Sequence, residues 1–81
     1  MQFVQQEEIT LDKLKPETHA VVSCVEGAPI FRRRLMEAGF VEGSSIRFLM
    51  ATPFGDPLVF SLRGASIALR KSEARCVKVR L

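Results

Sequence analysis

The chain is 81 residues long, 47% of them hydrophobic, with a formal net charge of +3; one domain with a small core is the expected scale. No apolar run approaches the roughly 20 residues of a membrane span, and Met1-Gln2-Phe3-Val4-Gln5-Gln6-Glu7-Glu8 lacks the basic start and apolar stretch of a secretory signal, so a cytoplasmic chain without direct membrane insertion is expected. The mild basicity permits an acidic or nucleic-acid partner, but with no Trp or Tyr a base-stacking surface is disfavoured and no nucleic-acid partner is expected.

Residues 1–8 are polar and read as a frayed start. Leu11-Asp12-Lys13-Leu14 reads as one short turn, ended by Pro16. Residues 18–26 are rich in Val and read as the first long strand, broken by Gly27. The stretch from Ala28 to Phe40 then carries the one convincing helix. Pro29 suits its first turn, where a missing N–H leaves no partner unsatisfied. Phe31, Leu35 and Ala38 recur at helical spacing and predict one buried apolar stripe. Gly39 stops the helix in the left-handed conformation, and Phe40 is placed to pack back on the last turn. The helix spans about nine residues, too few to be stable alone in water, so its stripe must dock on the remainder of the chain.

Gly43 marks the next turn. Residues 45–51 read as a second strand, with Ile46, Phe48 and Met50 on one face and Arg47 and Leu49 on the other. Thr52-Pro53-Phe54-Gly55-Asp56-Pro57 is a loop dense in turn residues. Residues 58–63 form a third strand, alternating Leu58, Phe60 and Leu62 against Val59, Ser61 and Arg63. Gly64-Ala65 turns the chain into a fourth strand over 66–70. Lys71-Ser72-Glu73-Ala74 reads as one helical turn, and residues 75–81 form the last strand, with Val77, Val79 and Leu81 on one face. Five short strands and one inserted helix predict a small closed barrel of the SH3-like or OB type, in which closure hides the strand edges. Periodicity does not choose between the two.

A resemblance bears on that choice. Leu11-x-x-Leu14-Lys15-Pro16, then Arg33-Arg34-Leu35-Met36-Glu37-Ala38-Gly39-Phe40 with Glu42-Gly43-Ser44, then Ala51-x-Pro53-x-Gly55-Asp56-Pro57, Arg63-Gly64, Ile67-Ala68-Leu69-Arg70-Lys71 and Glu73-Ala74 together resemble the ferrous iron transport protein A family, FeoA. The resemblance covers residues 9–80, nearly the whole of a single 1–81 domain. It implies a mainly β, five- to six-stranded SH3-like barrel with one α-helix inserted after the first long strand. It also implies a cytoplasmic, non-enzymatic accessory of ferrous iron uptake. Such a protein would contact the cytoplasmic GTP-binding domain of a FeoB-like membrane transporter. One departure is visible: the family often has Gly after the Pro of the first motif, where this chain has Glu17.

Arg32, Arg33 and Arg34 read either as a solvated helix face or as a docking patch for an acidic surface, to which planar guanidinium groups are suited. Met36 reads as core edge or partner contact. Phe54 reads as a cap on the barrel end, or else as an exposed anchor on a loop where binding residues often sit. These five are the candidate partner-binding residues; Leu35, Gly39, Phe40, Gly43, Pro53, Gly55 and Gly64 are the candidate structural ones. The soft or borderline metal ligands are His19, Cys24, Cys76 and Glu26. In a regular strand His19 and Cys24 point to opposite faces, leaving too few convergent ligands, so no metal and no cofactor are expected. With one His and no glycine-rich phosphate loop, no catalytic constellation is expected either. A nucleic-acid-binding barrel and a metal sensor are the alternative functions.

Overall fold

The computed structural model describes residues 7–81. In chain order these form β1 (Glu8–Thr10), a 3-10 turn (Leu11–Lys13), β2 (His19–Val25), α1 (Pro29–Glu37), β3 (Ser45–Ala51), β4 (Leu58–Leu62), β5 (Ala65–Leu69), α2 (Lys71–Ala74) and β6 (Val77–Arg80). One antiparallel sheet contains all six strands in the order β1-β6-β2-β3-β4-β5. The fold is mainly β, with the helix inserted after the first long strand, as the sequence predicts.

The sheet is not strictly closed, against the expectation of a closed barrel: β1 and β5 are its two ends and do not pair. Instead, α2 packs against both β5 and the 3-10 turn that continues β1, covering the gap. Asp12 of that turn and Arg75 at the end of α2 form an ion pair at 3.6 Å. The expected frayed start lies mostly outside the described residues. Its last residue, Glu8, opens β1 opposite Arg80.

The core follows from strand alternation. Ala20 and Val22, Ile46, Leu58, Phe60 and Leu62, and Val77 and Val79 are buried on the inner face, with Leu11, Leu14, Leu35, Phe40, Leu69 and Ala74 closing around them. Phe48 stacks at a tilt on Phe60, ring centroids 5.4 Å apart. Two bulges break the alternation. In β3, Phe48 faces Phe60 but Met50 faces Val59, so the chain gains a residue at Leu49. Met50 is thereby turned out to solvent rather than inward with Ile46 and Phe48. In β2 the extra residue is Ser23, between Val22 opposite Val79 and Cys24 opposite Lys78. Val25 turns toward the core, and Cys24 emerges on the outer face with His19, not opposite it. Leu81 lies past the end of β6 and is exposed.

The helix stops as its sequence dictates. Ala38 caps it, the Gly39 N–H donates to the Met36 carbonyl, and the Phe40 N–H donates to the Leu35 carbonyl, both at 3.0 Å. Gly39 has φ +112° and Phe40 is fully buried. The buried Ser44 hydroxyl donates to the Gly39 carbonyl at 3.0 Å, which ties the stop to the start of β3.

Candidate functional site

The predicted apolar stripe of α1 is mostly not used. Only Leu35 is buried; Phe31 is 39% exposed and Ala38 also faces solvent. One deep anchor, with Phe40 beneath it, is enough to seat so short a helix, and among the described residues most of the remaining surface of α1 faces solvent. Ile30, 69% exposed, and Met36, 52% exposed, add apolar area to that free surface.

Beside it runs an open groove of about 530 Å³ lined by Pro29, Arg32, Arg33, Met36, Glu37 and Val41. The first five recur at the 3.6-residue period and so form one helix face. Val41 joins them because the stop at Gly39 turns the chain back alongside the helix. Two guanidinium groups rim the groove, and Met36 and Val41 supply apolar floor. Arg33 Nε lies 3.9 Å from Glu37 Oε2, a solvated pair of little energetic weight. A second hollow, next to Ser23, Cys24 and Phe40, shares Arg32, Met36 and Val41 with the first, so the concave surface extends toward the β2 bulge.

The structure thus brings Arg32, Arg33 and Met36 together. It does not bring Arg34 or Phe54 to them, since neither lines the groove. Phe54 sits at the tip of a turn closed by Gly55 N–H donating to the Thr52 carbonyl at 2.7 Å, with Pro53 as the preceding corner residue. It is 96% exposed, so it does not cap the barrel. The loop is anchored at its far side, where Asp56 Oδ1 accepts the Lys71 N–H at 2.9 Å. Gly43, Gly55 and Gly64 all take positive φ in their turns. Pro29, Glu37 and Val41 escape a search for apolar stripes; counting mixed residues at 29, 32, 33, 36 and 37 would have found the face. Among the described residues no group of three or more His, Cys, Asp or Glu could hold a metal ion. His19 and Cys24 share a face, but five residues of strand separate them by about 16 Å. No helix among the described residues is long and apolar enough to cross a membrane.

A small SH3-like barrel with a solvent-facing inserted helix is therefore the class that the fold defines. The FeoA domain family model matches residues 9–81, and the chain belongs to that family. A protein of Porphyromonas gingivalis, described as a fusion of Fe(2+) transport protein A with the Fe(2+) transporter FeoB, is 34% identical over 71 residues. That match takes in 88% of this chain and 8% of the fusion protein, so the chain spans only a small part of the curated relative it matches. A solved FeoA-like protein of Clostridium acetobutylicum superposes with a TM-score of 0.82 at 33% identity, over 94% of this chain and 87% of that one. The FeoA of Stenotrophomonas maltophilia, solved in complex with zinc and described as a prokaryotic SH3 domain protein, gives 0.76 at 39% identity over 88% of each.

Proposed function

We propose that this chain is a non-enzymatic cytoplasmic accessory of ferrous iron uptake, acting by contact of the α1 groove with the GTP-binding domain of a FeoB-like Fe(II) transporter. The observation that carries the reading is the groove itself. A helix held by one buried leucine keeps Arg32, Arg33 and Met36 free around a concave, partly apolar surface. The relative in which an Fe(2+) transport protein A segment is fused to FeoB supports the choice of partner. Two arginines beside an apolar floor suit a partner that presents a carboxylate next to an apolar side chain. Binding one nucleotide state of the GTP-binding domain more tightly than another would shift that domain's equilibrium without any chemistry in this chain.

The test is calorimetric titration of this protein into the GTP-binding domain of a FeoB-like transporter, with a GTP analogue, with GDP and without nucleotide. Micromolar binding is expected, weakened when Arg32 and Arg33 are both changed to Glu. Absence of binding in every nucleotide state overturns the proposal.

A further inference from the structure

A second cleft lies on the outer face of the sheet. His19 of β2 sits directly opposite Arg47 of β3, and Arg47 sits opposite Ser61 of β4. With Ser45 and Arg63, these side chains line a cleft of about 230 Å³ that shares no lining residue with the α1 groove. The lining is one-sided in its chemistry: two guanidinium groups, an imidazole and two hydroxyls, and no carboxylate. Neither arginine makes an ion pair among the described residues, and residues 1–6 contain no Asp or Glu.

Arg63 is held there against its backbone preference. Arg63 and Gly64 are the two central residues of the turn joining the paired Leu62 and Ala65, with φ of +53° and +87°. Such a turn favours Asn, Asp or Gly at its first position. The Arg63 N–H donates to the Ser45 carbonyl at 3.2 Å, which fixes the root of its side chain beside the cleft. Gathering two arginines without a counter-ion is unfavourable by itself, and an anion seated between them reverses the sign of that term.

We propose that this cleft binds a phosphate-type dianion, either inorganic phosphate or the terminal phosphate of a small phosphorylated molecule. Guanidinium forks donate to two oxygens at once, and serine hydroxyls and an imidazole N–H add donors from the adjacent strands. No Phe lines the cleft, and the guanidinium, hydroxyl and imidazole donors all suit a charged oxyanion, so recognition rests on the charged group more than on stacking with an attached base.

The test uses the full chain, isotopically labelled, titrated with sodium phosphate and separately with a nucleoside diphosphate at constant ionic strength set by chloride. Saturable amide shifts are expected at His19, Ser45, Arg47, Ser61 and Arg63, with a dissociation constant for phosphate of about millimolar order. Arg47→Gln and Arg63→Gly should each weaken binding about tenfold. Arg63→Gly is the safer variant for the fold, because glycine takes the left-handed turn position without strain. Arginine-dependent binding that is tighter for the diphosphate assigns the cleft to a phosphorylated molecule; equal affinities assign it to the free anion. Absent or unsaturable shifts overturn the proposal, as do shifts that both variants retain at full strength or that chloride alone reproduces.

Discussion

The Phe40 amide donates to the Leu35 carbonyl at 3.0 Å, so the one buried residue of α1 and the buried residue that follows it are joined through the helix stop. Gly39 sits between them with φ +112°, and a Cβ built there would lie 3.2 Å from Leu62 Cδ2 in the core. Gly39→Ala thus meets both backbone strain and a tight side-chain contact, and should cost about 1–3 kcal/mol. Gly64 also has positive φ, but nothing lies within 4 Å of a Cβ there, so Gly64→Ala should cost only the backbone part, about 1 kcal/mol. Leu35→Ala removes the one residue of α1 that is buried among the described residues and should cost about 2–5 kcal/mol. Urea denaturation of the three variants checks the ranking; an equal cost at Gly39 and Gly64 would remove the Leu62 contact from the account.

Phe54 gives the opposite expectation. A phenylalanine capping the barrel end would lose several kcal/mol on truncation to Ala. With the side chain 96% exposed, Phe54→Ala should leave stability within about 0.5 kcal/mol of the unchanged protein. Asp56→Ala should cost more, about 0.5–2 kcal/mol, because its carboxylate accepts the Lys71 N–H at the first turn of α2. Thermal melts of both variants decide between these expectations, and a large loss at Phe54 would mean that its ring packs on the barrel after all.

Gly39-Phe40 carries its structure locally, because a helix stop needs only glycine and one apolar residue beyond it. The same holds for Leu58, Phe60 and Leu62, whose alternation is uninterrupted and whose burial matches it. Met50 and Cys24 depart from the alternation because bulges at Leu49 and Ser23 each reverse a two-residue period, and no side-chain pattern announces an extra backbone residue. Phe31 and Ala38 depart from their predicted burial for a different reason. Helical spacing defines a stripe but not how much of it the barrel is wide enough to cover. The groove was half visible: Arg32, Arg33 and Met36 stood out as residue types, whereas Val41 joins them only through the turn in the chain.

Glu17 offers a stabilising substitution. Its φ of +61° places a non-glycine residue in the left-handed region. Its N–H donates to the Phe48 carbonyl at 2.9 Å, so the turn is tied to β3 and cannot relax freely. Glu17→Gly relieves the strain, at about 1–2 kcal/mol, and loses part of that to the greater freedom of the unfolded chain. The expected net gain is about 0.5–1 kcal/mol, a rise in Tm of about 2–8 °C for a domain of this size. An unchanged or lower Tm would show that the Glu17 conformation carries no strain worth relieving.

The three adjacent arginines should separate in function. Arg32 and Arg33 line the groove and Arg34 does not, although the sequence presents them as one cluster. The Arg33–Glu37 pair is solvated, with side chains 82% and 71% exposed, so reversing these charges should leave stability within about 0.5 kcal/mol. Arg32→Glu with Arg33→Glu should weaken binding to the GTP-binding domain of a FeoB-like transporter by about 10–100-fold and reduce its dependence on salt. Arg34→Glu should change that affinity by less than about threefold, since Arg34 makes no part of the groove and an exposed charge acting across solvent is worth little. Calorimetric titrations at two salt concentrations resolve the difference. If Arg34→Glu weakens binding as much as the double reversal, the partner reads the net charge of the helix and not the groove, and the contact surface must be redrawn to include the far side of α1.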